Sequence, residues 1–253
     1  MAPQLSPYAF HLASSDSEVA AAQRLRYAVF VEEIGARGGD LTDRVLGLEA
    51  DHFDPQCEHV LILDTLRENA VVGTTRILDE VGAAKVGGFA TEVEFDLSGL
   101  RRSGRRLLEV GRTCLHPEHR GGSAMHRLWQ GLAGLVEARR LDLLFGLASF
   151  PGTDPLALAQ PLSCLQQDHL APDDLRPRSR KPMDLGLLAA GHVCRRQAMV
   201  ATPALVKAYL RLGGQVGDGA FLDRDFGCID VCMVLDTATL STRARRIYAM
   251  DPP

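Results

Sequence analysis

The chain has 253 residues, of which 46% are hydrophobic and 24% are charged, and its formal net charge is −4. That length and apolar content are enough for one large core, or for one domain with a sizeable insertion. Because the net charge is slightly negative, the chain lacks the global basic field typical of nucleic-acid-binding proteins, and we expect no nucleic-acid partner. No apolar run reaches the ~18 residues that a membrane-spanning helix requires.

The cysteines and histidines do not suggest a disulfide framework or a metal centre. There are six cysteines without a C-x-x-C pair, and no secretory apolar segment, so we expect reduced thiols in a cytoplasmic protein. His116 and His119 flank Pro117-Glu118 in a pattern that looks like a metal-binding pair. Pro117 disfavours a regular helix there, and we therefore expect no metal site.

Hydrophobic spacing predicts the elements of the first half of the chain. The expected elements are a strand at 8–13, a helix at 17–30, strands at 59–66 and 71–78 with a turn at Glu68-Asn69, and a short strand or helix edge at 91–97. Residues 35–48 form a polar, glycine-bearing loop of the kind that closes over substrates.

The middle of the chain predicts a strand, a loop and a helix. Residues 107–115 are mostly apolar, but Glu109 and Arg112 interrupt the run and Pro117 ends it. A helix at 124–139 follows, with apolar residues at helical spacing, and then a strand at 141–149. We therefore expect a buried central strand that carries a charged pair.

The last part of the chain is less regular. Asp154 before Pro155 predicts a helix start, and the prolines within 156–202 indicate a partly helical insertion. The remaining predicted elements are a helix at 203–212 and two antiparallel strands at 215–222 and 226–235. Without an internal repeat or linker, the chain is predicted to be a single α/β domain over 1–253, with a central mixed, twisted sheet flanked by helices.

A small-residue loop opens the helix at 124–139. Such a loop leaves backbone N–H groups free at the positive end of the helix dipole, which suits a phosphate. The segment HPEHRGGSAM resembles the acyl-donor loop of the GNAT N-acyltransferases, which favours Arg/Gln-x-x-Gly-x-Gly/Ala after a strand. Arg120 fits the first position, whereas Ser123 and Met125 replace the small residues usual later in the motif.

The resemblance implies how the donor is bound. A weakened loop is better suited to the single phosphate of a phosphopantetheine arm on acyl carrier protein than to the pyrophosphate of coenzyme A. The residues that would hold this arm are Arg120, Gly121, Gly122, Ser123 and Ala124. No cofactor beyond the arm of the donor, and no metal, is implied.

Four further motifs resemble, in order, the pattern R-x-x-V-F, E-x-D-x-F/Y-D, G-x-x-R and E-x-x-R of the acyl-homoserine-lactone synthases. Those enzymes are GNAT relatives that take acyl chains from acyl carrier protein. The resemblance implies substrate-binding roles for Arg26, Phe30, Asp51, Asp54 and Arg76. It also makes Glu109 and Arg112 the catalytic pair.

The C-terminal half resembles the L-ornithine N-alpha-acyltransferases of bacterial ornithine-lipid synthesis. The matching segments are 144–155, 168–172, 203–214 and 216–220. This resemblance implies transfer of a 3-hydroxyacyl chain from acyl carrier protein to the α-amino group of L-ornithine, giving lyso-ornithine lipid. Three alternatives stay open, namely another amino acid such as glutamine as acceptor, a homoserine-lactone synthase, and a non-catalytic carrier-binding module.

The chemistry of amide formation explains why these residue types are candidates. A free α-amino group has a pKa near ~8 and is mostly protonated at neutral pH, so a base must remove a proton. We predict that Glu109 is this base. The alternative is that Glu109 pairs with Arg112 or Arg76 and only holds the site together.

The arginines of the pattern have two readings as well. Arg26, Arg76 and Arg112 are of a type that grips a carboxylate or phosphate. Alternatively, they form structural ion pairs with Glu49, Asp51 and Asp54.

Three basic runs, at 101–106, 176–181 and 243–246, complete the sequence features. Their ordinary explanation is a solvated loop. There are two functional alternatives, of which docking of an acidic carrier protein is favoured over contact with anionic headgroups at the inner membrane.

Overall fold

The computed structural model describes residues 6–240. Within this range the chain forms two compact units. The first unit comprises residues 6–87 and 110–140, and the second comprises residues 88–109 and 141–240. The single domain expected over 1–253 stays a prediction.

The strands, in chain order, are β1 (Tyr8–Leu12), β2 (Glu58–Asp64), β3 (Ala70–Asp79), β4 (Phe95–Asp96), β5 (Leu107–Leu115), β6 (Leu143–Pro151), β7 (Arg178–Ser179), β8 (Gln215–Val216), β9 (Phe221–Asp223) and β10 (Cys228–Asp236). The α-helices are α1 (Asp16–Arg26), α2 (Glu80–Lys85), α3 (Ser98–Arg102), α4 (Ser123–Arg139), α5 (Ala159–Asp168), α6 (Arg195–Ala201) and α7 (Ala204–Arg211).

The sheet of the first unit contains β1, β2, β3 and the part of β5 from Val110 onward, in that order. β1 and β3 both pair antiparallel with β2, which is buried along most of its length. The connection from β2 to β3 contains Glu68 and Asn69 at positive φ values of 51° and 58°. This conformation matches the twist of a hairpin, and it confirms the turn predicted there.

The helix predicted at 17–30 is only partly correct. α1 begins at Asp16, after Ser15, whose hydroxyl accepts a hydrogen bond from the Glu18 N–H at 3.4 Å. After Arg26 the chain continues as a π-helix, Tyr27–Glu33. Because the apolar spacing changes little between the two helix types over one or two turns, the sequence did not reveal this change.

α4 packs on the sheet of the first unit, against β1, β2 and β3. The contact with β1 depends on Gly131, since a Cβ atom at this position would lie 1.8 Å from Cδ2 of Phe10. The absence of a side chain therefore allows the helix to approach the strand closely.

The second unit is built around β10. The first three residues of β5 pair parallel with β6, and β6 pairs antiparallel with β10 along its full length. β8 and β9 also pair with β10, and α7 packs against β6 and β10. The strand predicted at 215–222 is broken into β8 and β9, because the backbone of the intervening residues bonds to Pro177, Met183 and the Cys232 carbonyl.

The insertion predicted at 156–202 is partly helical, as expected, with α5, β7 and α6. The helix start predicted at Asp154 is wrong, since α5 begins at Ala159. The Asp154 carboxylate instead accepts the Leu156 N–H at 2.9 Å, which forms an Asx turn without a helix.

Both units combine helices with sheet, which confirms the α/β fold class. Within residues 6–240 no helix is long and apolar enough to cross a membrane. The basic run at 243–246 lies outside the described residues.

Candidate active site

A buried ion-pair network in the first unit brings together six charged residues of the motif pattern. We call it the ion network, and its members are Arg26, Glu49, Asp51, Asp54, Arg76 and Arg112. Arg26, which is 1% exposed, donates to Asp54 at 2.9 and 2.6 Å and lies 2.7 Å from a Glu49 carboxylate oxygen. These contacts fix the end of α1 to the segment that precedes β2.

The other two arginines share the same carboxylates. Arg76 on β3 donates to Asp51 at 2.5 Å and to Asp54 at 3.2 Å. Arg112 on β5 donates to Asp51 at 3.0 Å and lies 3.5 Å from Glu49. Arg112 is the most exposed member, with 23% of its side chain accessible. It is therefore the arginine best placed to meet a ligand.

Three arginines face three carboxylates, so the formal charges of the ion network cancel. Burial alone would raise the pKa of Asp54, but the hydrogen bonds and charge of Arg26 and the charge of Arg76 outweigh it, and the pKa is lowered. Burial alone would lower the pKa of Arg76, but the nearby carboxylates, chiefly Asp51, outweigh burial and raise this pKa. Both groups are ionised at neutral pH, as buried charges in good pairs are.

The ion pairs predicted as one reading of the motif arginines are present. The other reading, binding of substrate by Arg26, Asp51, Asp54 and Arg76, stays a prediction. Phe30 is partly buried and packs against the core cluster of Leu25, Val29 and Cys114. Burial raises the pKa of the Cys114 thiol to about 12, so this cysteine behaves as an inert core residue.

The backbone of β5 is irregular at its charged positions. Arg112 has a positive φ of 52°, which is unusual for a residue with a side chain. The carbonyl of the preceding Gly111 accepts the Thr75 hydroxyl at 3.1 Å. The regular alternation of a strand is thus interrupted at Arg112.

Glu109 lies in the second unit, where one short turn holds its carboxylate. The N–H groups of Ala90 and Thr91 donate to it at 3.0 and 2.5 Å, and the Thr91 hydroxyl donates at 2.5 Å. Glu109 is 4% exposed and Thr91 is 1% exposed. Three donors on one carboxylate stabilise the anion and fix its orientation.

Two residues near Glu109 carry protons of their own. Burial and the charges of Cys232 and Glu109 raise the pKa of Tyr209, which lies on α7. Burial, followed by the charge of Glu109, also raises the pKa of Cys232 on β10. Both groups are neutral at physiological pH.

Sequence reasoning missed Thr91 as a partner of Glu109. Its contribution comes partly from its backbone N–H, which no residue pattern reports. Nor did sequence reasoning place Tyr209, on α7, near Glu109.

The donor loop precedes α4 in the first unit. Arg120 forms a bidentate pair with Glu33 at 2.6 Å on each side, and its Nε–H donates to the Leu115 carbonyl at 3.1 Å. Gly121 has a positive φ of 74°, and a Cβ added at Gly121 or Gly122 would meet nothing within 4 Å. The backbone of the loop is thus openly accessible.

The first turn of α4 begins with Ser123 and Ala124. Gly122 occupies the N-cap position, where it supplies no side-chain cap, so the N–H groups of this turn remain available to an anion. This geometry suits a phosphate, and phosphate binding by the loop stays a prediction.

The residues of the His-Pro-Glu-His motif lie near one another. One potential ligand atom from each of His116, Glu118 and His119 lies within 4.8 Å of the others. His119 Nδ1 lies 2.9 Å from the Tyr8 hydroxyl, and Glu118 accepts from Arg67 at 3.2 Å. These side chains therefore have protein partners, and the absence of a metal here stays a prediction.

Comparison with known proteins gives a consistent result. The model of the acetyltransferase (GNAT) domain matches residues 25–130. The L-ornithine N(alpha)-acyltransferase of Rhodobacter capsulatus is 49% identical over 245 residues, covering 95% of this chain and 94% of the relative. The enzyme of the same name from Brucella abortus is 37% identical over 248 residues, covering 95% and 88%.

Solved structures resemble the chain in fold. FeeM, an N-acyl amino acid synthase from uncultured soil microbes, superposes with a TM-score of 0.55 at 12% identity, covering 96% of this chain and 98% of FeeM. The CoA-dependent acyl-homoserine lactone synthase BjaI gives a TM-score of 0.53 at 15% identity, covering 96% and 91%. The GNAT acyltransferase fold expected from the sequence is thus confirmed.

Proposed function

This chain belongs to the L-ornithine N(alpha)-acyltransferase family of GNAT enzymes, and on that premise we propose that it acylates the α-amino group of L-ornithine. The observation that carries this proposal is the 49% identity to the Rhodobacter capsulatus enzyme over 95% of the chain. The match extends over nearly the whole length of both chains, well beyond the GNAT domain at residues 25–130.

We propose that the donor is a 3-hydroxyacyl chain on acyl carrier protein and that the product is lyso-ornithine lipid. The open loop at Gly121 and Gly122 and the uncapped first turn of α4 support binding of one phosphate on the phosphopantetheine arm. Glu33 neutralises part of the charge of Arg120, which also suits a singly phosphorylated arm better than a pyrophosphate.

In the proposed reaction the neutral α-amine attacks the thioester carbonyl carbon. The new C–N bond forms, the C–S bond breaks, and the amine proton passes to Glu109 directly or through a water. The thiolate that leaves takes up the proton that Glu109 accepted, which regenerates the carboxylate. Glu109 is suited to the base role because its three hydrogen bonds fix its orientation.

For the acceptor we assign the carboxylate of ornithine to Arg112. This side chain is partly exposed, while Arg26 and Arg76 are buried against carboxylates. A guanidinium that already bonds Asp51 retains N–H donors for a second carboxylate. Arg26 and Arg76 then act indirectly, since they hold Asp51 and Asp54 in place.

The location of the enzyme belongs to the same proposal. We place the enzyme in the cytoplasm, where it would contact the membrane peripherally. The described residues lack a spanning helix, and the proposed product is an amphiphile.

The test is a mass-spectrometric turnover assay with purified protein and 3-hydroxyacyl–acyl carrier protein. Ornithine, glutamine and lysine are supplied separately, and free thiol release is followed in parallel. An N-acyl product from ornithine alone is the expected result. A product from glutamine alone would overturn the acceptor, and neither product nor free thiol would overturn the enzyme proposal itself.

A further inference from the structure

Two basic runs that are far apart in the sequence lie together in the second unit. β4 and β7 pair antiparallel, so that Asp96 lies opposite Arg178. α3 follows β4 directly and ends with Arg101 and Arg102. The strand pairing therefore brings the run at 176–181 close to the run at 101–106.

Electrostatic coupling places these cations on one surface. Hydrogen bonds from Ser98, together with the charges of Arg180 and Arg102, lower the pKa of Asp96. The Asp96 carboxylate thus interacts electrostatically with one arginine from each run. Along β7 the buried Ser179 separates the exposed Arg178 and Arg180, as strand alternation requires.

Two of the cations are held in fixed positions. Arg101 pairs with both oxygens of Glu92 and lies 4.8 Å from the centre of the Phe89 ring. The Nε–H of Arg180 donates to the Glu92 carbonyl at 2.7 Å. Ordered arginines lose less side-chain entropy when a partner binds, so they are effective contact residues.

The surface is continuous with the turn that holds Glu109. Ala90–Val93 forms a single 3-10 turn, which contains both Thr91 and Glu92. Val93, at its end, is 65% exposed and provides an apolar contact among the cations. A partner seated here would contact the same turn that orients the proposed base.

We propose that this surface docks the acidic carrier protein that delivers the acyl chain. The basic docking surface comprises Arg101, Arg102, Arg178, Arg180 and Lys181. This inference rests on the proposed function, because it assigns a location to the proposed donor. Its five cations outnumber the nearby carboxylates Glu92, Asp96, Asp174 and Asp218, of which Glu92 and Asp96 are already engaged with Arg101 and Ser98. Such a surface attracts an acidic protein and accelerates its association at low salt.

The test reverses charge at two exposed positions, in the double variant Arg102→Glu/Arg178→Glu. Arg24→Glu/Arg140→Glu, at two exposed arginines of the first unit, is the matched control with the same change of net charge. Steady-state kinetics are measured with acyl carrier protein and with an acyl-pantetheine thioester as donors, at several salt concentrations. We expect the double variant to raise KM for the carrier at least about 10-fold, with kcat and the small donor little changed. The control should resemble the wild type.

Binding of the holo carrier protein is measured in parallel by fluorescence anisotropy, so that the surface is tested without turnover. Weaker binding by the double variant, but not by the control, is the supporting result. Unchanged binding, or an equal loss of activity with both donors, would overturn the surface. Loss of binding to anionic phosphatidylglycerol vesicles with carrier binding intact would make it a lipid surface instead. If the wild type turns over neither donor, the proposed function fails, and anisotropy still decides the docking surface.

Discussion

Glu109 depends on one turn for its orientation. This turn supplies three hydrogen-bond donors to the carboxylate, of which two are backbone N–H groups and the third is the hydroxyl of Thr91. Only the third is open to substitution without disturbing the backbone. This makes Thr91 a positioning residue for the proposed base.

We therefore predict that Thr91→Val lowers kcat while the fold is kept. Loss of one donor destabilises the carboxylate anion, so the acid limb of the pH profile of kcat/KM should move to higher pH. Thr91→Ser retains the hydroxyl and should restore the profile. A valine variant with a lower rate but an unmoved acid limb would indicate that Thr91 is merely structural.

The members of the ion network could be predicted from the sequence, but their partners could not. The sequence pattern identified all six members, because charged residues rarely recur in a fixed motif order without a role. It left open whether the arginines bind each other's carboxylates or a ligand. That choice depends on distances between the end of α1, the segment before β2, β3 and β5, which spacing along the chain does not contain.

At the scale of elements, the close contact of α4 with β1 makes a specific stability prediction. Gly131→Ala places a methyl group against the ring of Phe10, which must then move. Overpacking of this kind destabilises a core by about 1–3 kcal/mol. The free energy of unfolding, measured in urea, should fall by that amount.

The double variant Gly131→Ala/Phe10→Leu tests the cause. A smaller side chain at Phe10 relieves the clash, so the two changes should be non-additive, with the double variant more stable than the sum predicts. Additive losses of unfolding free energy would show that the added methyl group does not clash with the ring of Phe10.

Elements with strong local signals were predictable. β5, the turn at Glu68-Asn69 and α4 each follow from apolar spacing or turn residues. The start of α5 was not predictable. Asp154 followed by Pro155 is the pattern of a helix N-terminus, yet these residues form only an Asx turn. The break between β8 and β9 depends on backbone bonds to the insertion, and local sequence carries no sign of such bonds.

At the scale of the whole molecule, the ion network couples stability to pH through His59. This histidine is 3% exposed and lies 3.6 Å from an Asp54 oxygen. Burial lowers its pKa and outweighs the opposing charge of Asp54, and the charges of Arg26 and Arg76 lower it further. The folded protein thus keeps His59 neutral where the unfolded chain would protonate it.

The sign of the effect follows from proton linkage. Below the unfolded pKa of about 6.5 the unfolded state binds one more proton than the folded state, so stability falls with decreasing pH. The contribution of this group approaches about 1.4 kcal/mol per pH unit until His59 is protonated in the folded state. We expect His59→Gln to flatten the stability profile between pH 7 and 5.

His192→Gln, at an exposed histidine, is the control and should follow the wild type. Urea unfolding at several pH values provides the measurement. Parallel profiles for the wild type and His59→Gln would contradict a neutral buried His59.

Acyl transfer from a carrier protein to ornithine is proposed to depend on Glu109. The most direct test compares wild type and Glu109→Gln in the mass-spectrometric assay, with carrier binding measured on the same samples. Removal of a general base lowers turnover by about 10²–10⁴-fold. We expect a loss in this range with carrier binding retained, whereas turnover by Glu109→Gln at the wild-type rate would show that Glu109 is not the base.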